Sequence, residues 1–257
     1  MLTPLRTLAL LCSALAVVAC DGDGVQDITG TRPESRVRFF NFGVGAPAIH
    51  FYAGDDKVTA TTSATGNEST GGITYGGVGS GGLYSLLDPG QYTFSGRIMA
   101  TADKGTPIAT VTGDLARGGA YSVYVSGFYN STTKQADGFI VPDDFPEEFD
   151  FSVAYVRFVN AIGNAQPMQL TLTDATAGTT LPVGDAVAYK AAGAFVAVPP
   201  SSYNLATRYV GATSNAIART NVGFLGGRVY TISARGDITI TSTTATNRPF
   251  LDNTVNR

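Results

Sequence analysis

The pentad Val37-Arg38-Phe39-Phe40-Asn41 occurs twice, returning as Val156-Arg157-Phe158-Val159-Asn160 at a spacing of 119 residues. This self-similarity constrains the fold more than any single motif, because repeated stretches of one chain build repeated units. The register holds beyond the pentad: Val37, Phe39, Ile49 and Phe51 fall on Val156, Phe158, Met168 and Leu170. Two later anchors keep their order at a shorter spacing. Residues 84–92 match 195–203, and 119–123 match 228–232 less strictly. A duplication whose second copy has trimmed loops accounts for all three.

Each anchor has strand periodicity. Apolar and polar residues alternate strictly in Met168-Gln169-Leu170-Thr171-Leu172-Thr173, so one face meets a core and the other meets water. By the same pattern Val37 and Phe39 point inward and Arg38 outward. Tyr121, Val123 and Val125 point inward, Ser122 and Tyr124 outward. Only 14% of the residues are charged, Gly is abundant at 31, and no window after residue 20 reads as a long helix. That composition suits many short strands and turns. The expected fold is all-β, with two tandem immunoglobulin-like β-sandwich domains.

Strands are expected near 36–42, 47–53, 82–87, 91–98, 107–112, 120–126 and 136–141. In the second copy they are expected near 153–160, 167–173, 179–183, 194–199, 203–209, 216–222 and 228–235, with a last one at 237–242. The first sandwich then covers 36–141 and the second 153–243. Residues 142–152 hold two prolines and five acids and read as a solvated linker, with Phe145 and Phe149 packing on the flanking domains. Residues 244–257 are polar and read as a disordered tail.

The first nineteen residues read as an export signal. Arg6 gives a positive start, Leu8 to Val18 is apolar but too short to span a bilayer, and Val17-Val18-Ala19-Cys20 follows. This run resembles the bacterial lipobox, in which the signal is cut before the Cys and the thiol is acylated. The resemblance implies lipidation at Cys20 and a membrane as partner. Cys12 leaves with the signal, so neither cysteine remains free for a disulfide. Loss of Arg6 leaves 16 basic against 20 acidic side chains. A net-acidic chain argues against nucleic acid as partner.

Residues 20–35 read as the acylated Cys and a flexible tether. Within it, Asp21-Gly22-Asp23-Gly24-Val25-Gln26-Asp27 has the spacing of a calcium loop, making Asp21, Asp23 and Asp27 the candidate metal residues and Ca²⁺ the candidate ion. Glu34 lies beyond the usual place of the closing acid. The other reading is a solvated acidic tether.

No catalytic residues are assigned. His50 is the single histidine, on the polar side of a strand between Ile49 and Phe51, and nothing marks a nucleophile for it to serve. Gly79-Ser80-Gly81 is a glycine loop and not a hydrolase elbow. The acid pairs Asp55-Asp56, Asp143-Asp144 and Glu147-Glu148 fall in loops or linker. Tyr52 and Tyr124 are outward aromatics available for a ligand or for cross-strand packing. Tyr92 and Tyr203 sit at matched strand starts after a turn and read as the structural tyrosines of sandwich corners.

Val-Arg-Phe-x-Asn, a following Ala46-Pro47 or Gln166-Pro167, the turn before Tyr92, and Gly227-Arg228-Val229-Tyr230-Thr231 together resemble the bacterial domain-of-unknown-function family 4397. The resemblance covers about 36–141 and 153–235. It implies exported proteins, often lipoproteins with the domain in tandem, and supplies no catalytic residue. The expected function is a lipid-anchored, non-enzymatic binding or structural module of the cell envelope, facing the periplasm or the cell surface. An envelope protein or glycan is its expected partner. The alternative is a carboxylate-dependent hydrolase of envelope polysaccharide.

Overall fold

Both copies of the pentad form a buried strand, and each begins a set of nine strands among the described residues. A computed structural model describes residues 34–59 and 71–257. The signal segment, Cys20 and the candidate metal residues Asp21, Asp23 and Asp27 lie outside the described residues.

In the first repeat the strands are β1 (Ser35–Asn41), β2 (Ile49–Ala53), β3 (Asp56–Lys57), β4 (Gly77–Val78), β5 (Ser85–Leu87), β6 (Gly90–Ile98), β7 (Pro107–Leu115), β8 (Ala120–Asn130) and β9 (Gln135–Pro142). In the second they are β10 (Ala154–Asn160), β11 (Met168–Asp174), β12 (Thr180–Val187), β13 (Ala191–Ala192), β14 (Val196–Val198), β15 (Ser201–Tyr209), β16 (Ile217–Phe224), β17 (Val229–Arg235) and β18 (Phe250–Val255). One sheet of the first repeat runs β4-β1-β8-β9 with β5 also on β1, and the other runs β3-β2-β6-β7. The second repeat copies this as β13-β10-β17-β18 with β14 on β10, and β12-β11-β15-β16. In both, the opening strand pairs in parallel with the eighth, Val37 opposite Tyr121 and Val156 opposite Tyr230. The chain is an all-β tandem of immunoglobulin-like sandwiches.

Inward residues close each sandwich as the alternation requires. Val37, Phe39, Ile49, Phe51 and Phe94 meet in the first core, with the Phe39 ring 5.0 Å from Phe51 and 5.7 Å from Phe94. Val156, Phe158, Met168, Leu170 and Leu205 meet in the second. Corner tyrosines pin the turn that feeds the eighth strand. The Tyr121 hydroxyl accepts from the Ala116 amide at 2.8 Å, and the Tyr230 hydroxyl accepts from the Leu225 amide at 3.0 Å. Gly118 and Gly227 hold this turn at φ of 70° and 71°, a region where a Cβ is strained. The corner role expected of Tyr92 and Tyr203 therefore belongs chiefly to Tyr121 and Tyr230. Tyr203 does make an analogous bond, donating to the Pro199 carbonyl at 2.7 Å.

The outer faces of the two eighth-strand sheets are not wet, because they pack on each other. Phe40, Phe42, Tyr124, Phe139 and Val141 of the first repeat join Val159 and Ala161 of the second in a third core. Tyr124 is fully buried, stacked between Phe40 and Phe139 at 4.5 and 4.7 Å. It faces outward from its own sandwich as expected, but meets the other repeat instead of a ligand. Three contacts define the geometry of the seam. Arg38 on β1 reaches Val255 on β18, Tyr124 on β8 lies 3.4 Å from Ser233 on β17, and Arg157 on β10 reaches Pro142 on β9. First faces ninth, eighth faces eighth, and ninth faces first. The repeats are thus related by an approximate twofold axis along the strands, as in an isologous dimer. Pro33–Arg257 form one compact unit.

Three expectations are corrected here. Residues 244–257 are not a disordered tail: β18 pairs antiparallel with β17 from Tyr230–Val255 to Arg235–Phe250, and Leu251 is fully buried. The strand expected at 237–242 is instead a turn. Asp237 Oδ1 accepts from the Thr239 amide and hydroxyl at 3.0 and 2.6 Å, and this local bonding diverts the backbone from a ladder. The linker is not solvated throughout. Asp143, expected among its exposed acids, is 3% exposed.

Candidate functional site

Two polar constellations stand out, one inside the seam and one on an open sheet face. The seam is organised by the arginine of each pentad. Arg157 donates Nε–H to Thr231 at 3.0 Å, Nη1–H to the Pro142 carbonyl at 2.6 Å, and Nη2–H to Asp143. Its guanidinium lies 4.7 Å from the centre of the Phe195 ring. Arg38 repeats the arrangement from the other side. It donates Nη1–H to the Val255 carbonyl at 3.0 Å and lies 4.1 Å from the centre of the Tyr84 ring. Tyr84 and Phe195 are matched positions of the duplication, as are Ser122 and Thr231.

The twofold is broken at Nε, which Arg157 gives to Thr231 while Arg38 Nε finds no partner among the described residues, and at the carboxylate. Where Arg157 meets the carboxylate of Asp143, the matching place beside Arg38 is held by Asn256. Ser122 donates to Asp143 at 2.9 Å, and Thr231 donates to Asn256 Oδ1 at 2.8 Å. Tyr84 links the halves, donating to Asp143 Oδ2 at 2.6 Å and accepting from Asn256 Nδ2 at 2.9 Å. Burial, then the Asp143 charge, drive the Tyr84 hydroxyl far above its ordinary range, so it remains a donor at every physiological pH. Burial likewise pushes Tyr124 up to about 12. A buried ion pair is tolerated when its remaining donors and acceptors are met, and they are met here.

At the far end of the seam, the Tyr189 hydroxyl donates to Asp137 at 2.7 Å and lies 2.9 Å from the Ser126 hydroxyl. A Cβ on Gly127 would sit 2.7 Å from that hydroxyl, and its φ is 67°. Glycine is what lets the repeats approach there.

The second constellation is on the outer face of the β2–β6–β7 sheet, away from the seam. Gly54, Asp55, Thr93, Ser95, Arg97 and Thr110 line a groove of about 380 Å³ together with Gly105 and Pro107. Arg97 donates to Ser95 Oγ at 2.9 Å and the Gly54 carbonyl at 2.5 Å, pairs with Asp55 at 3.3 Å, and stacks 4.3 Å from the centre of Tyr52. Its register partner is His50. The expected surface histidine is buried at 6% exposure, and its Nδ1 has no hydrogen-bond partner among the described residues. Burial first, then Lys57 and Lys104, lower its pKa below 6.5. In the second repeat Gln169 pairs with Arg208 at the same register.

The sequence pattern pointed to His50 and Tyr52 but passed over Arg97. The matched Arg208 was the available signal. Of the acid pairs, Asp143 is drawn into the seam while Asp144, Glu147 and Glu148 stay exposed. Phe145 and Phe149 pack as expected, at 5.7 Å from Phe195 and 5.2 Å from Tyr155. Among the described residues no group of three His, Cys, Asp or Glu side chains is arranged to hold a metal ion.

A family model described as "Domain of unknown function (DUF4397)" matches residues 35–171. No curated protein matches. Among solved structures, the Bacillus anthracis TIE protein is similar at 12% identity and a TM-score of 0.23, over 79% of this chain and 34% of that one. The match thus spans about a third of that protein. A putative cell adhesion protein from Bacteroides ovatus is similar at 12% identity and a TM-score of 0.24, over 87% and 96% of the two chains. One from Bacteroides uniformis is similar at 11% identity and a TM-score of 0.25, over 87% and 98%.

Proposed function

Since the chain belongs to the DUF4397 family, whose description assigns no activity, we propose from its own geometry that it is a lipid-anchored, non-enzymatic binding module of the bacterial cell envelope. The anchor in this reading is acylated Cys20, from the lipobox resemblance of Val17-Val18-Ala19-Cys20. The observation that carries the binding role is the groove on the outer face of the first repeat. Its hydroxyls from Thr93, Ser95 and Thr110 line the groove with one arginine, whose guanidinium is held over the Tyr52 ring. Hydroxyls and a charged donor together suit a polar, hydroxyl-rich ligand, an envelope glycan first of all. The rigid sheet under the groove and the locked seam keep these groups in place without ligand. Any cation held by Asp21, Asp23 and Asp27 would serve the tether and not this groove.

The test is a glycan array and an envelope pull-down with the protein and its Arg97→Ala variant. Binding lost in the variant, with unchanged thermal stability, supports the groove. Equal binding by both removes it. Turnover of a polysaccharide or ester that one Asp or Glu substitution abolishes would replace this reading with the hydrolase.

A further inference from the structure

The two repeats point the same way, so the starts of β1 and β10 share one end of the tandem. That end also carries the turns before β8 and β17 and the chain's last residues. It is marked by exposed apolar side chains: Phe151 is 76% exposed and Leu225 is 62% exposed. They are neighbours, since the Phe151 ring lies against Gly227. Phe149 packs edge-on to Phe151 at 5.1 Å, and Arg257 lies 5.0 Å from the centre of the Phe149 ring.

The apolar tip is an addition to the fold and not a requirement of it. Leu225 occupies the turn position that Ala116 holds in the first repeat, and both amides bond their corner tyrosine in the same way. The fold is satisfied by alanine there, yet the second repeat presents leucine to solvent.

We propose that this tip, centred on Phe151 and Leu225, rests in the headgroup region of the membrane that holds the lipid anchor. The proposal rests on the reading of Cys20 as acylated. The chain enters the tandem at Ser35, on this end, and only the residues from Asp21 to Glu34 separate it from Cys20. At no more than about 3.6 Å per residue, that span cannot exceed about 50 Å. Two side chains are weak membrane ligands alone, but an anchor makes their contact intramolecular and raises the local lipid concentration to the millimolar range. Arg228 and Arg257, both exposed, are placed to reach phosphates as their stems lie along the surface. Glu147, Glu148 and Asp150 are exposed on the adjoining linker, so the contact is apolar insertion and not general charge attraction.

The chain has no tryptophan, so Phe151→Trp and Leu225→Trp each install a single emitter. The chain from Cys20 onward is coupled through that thiol to a maleimide lipid. The vesicles are phosphatidylethanolamine and phosphatidylglycerol carrying doxyl-labelled lipid. The expected result is a blue shift and loss of emission at both positions on coupling. Val210→Trp, exposed at the opposite end, should show neither change. Unquenched emission at 151 and 225 in the coupled protein overturns the proposal. So does a blue shift in uncoupled protein that grows with concentration, which assigns the tip to a second copy. Acylation is read separately, from the mass of the amino-terminal peptide of cell-made protein. An unmodified Cys20 removes the anchor and with it the premise, a failure distinct from an unquenched tip.

Discussion

Arg38 and Arg157 reach across the seam in opposite directions to equivalent carbonyls, those of Val255 at 3.0 Å and Pro142 at 2.6 Å. The repeated pentad is therefore a code for joining the repeats as well as for building each one. Its valine and first phenylalanine fill a sandwich core, and its arginine crosses to the neighbour.

Among the described residues Asp143 is the sole carboxylate opposite these two arginines. Asp143→Ala should destabilise the fold by about 3–5 kcal/mol, because Arg157 is left buried and uncompensated. Asp143→Asn, which restores the twofold by matching Asn256, should cost less. Urea unfolding of both variants against the parent checks the order.

Leu251 separates the paired-strand finding from the tail expectation. Leu251→Ala should cost about 2–5 kcal/mol as a core truncation. A disordered tail would give no measurable change in the midpoint of thermal or urea unfolding.

Tyr121→Phe and Tyr230→Phe each remove one hydroxyl acceptor from a corner amide. Each should cost about 0.5–1.5 kcal/mol, and the two should match because the two corners match. A clear inequality in calorimetric unfolding would show that the corners do unequal work.

His50 gives a pH signature. Its folded pKa lies below 6.5 through burial and the nearby lysines, so the unfolded chain takes up the proton more readily. Its contribution is complete above pH 6.5 and is lost as pH falls from there through the lowered value. His50→Gln, the residue at the matched position 169, should flatten that part of the stability profile. As the single histidine, its ring resonances in a nuclear magnetic resonance titration should show a midpoint below 6.5.

The strand positions were legible because alternation reports directly which side chains leave water. Val37, Phe39, Phe158 and Leu170 all fell where the pattern put them. Alternation says nothing about what lies on the far side of a sheet, and so Arg38 and Tyr124 were read as wet. The matched Arg157 was the overlooked clue, since a surface arginine has no physical reason to recur in register. β18 was hidden by composition: Asp252 and Asn253 are poor strand formers, and only pairing with β17 places them in a ladder. The Arg97 groove was illegible because its residues come from the turn after β2, from β6, and from β7 with the loop before it, and converge only after folding.

A repeat that dimerised freely would have to carry the same residue at both symmetric places, so an aspartate in one seam position would bring a second aspartate with it. Covalent linkage lifts that constraint. Here one place holds Asp143 and the other Asn256, and Tyr84 donates to the first while accepting from the second. The tandem can therefore specialise its halves independently, keeping the apolar turn in one and the arginine groove in the other, while its assembly no longer depends on how many copies the cell makes.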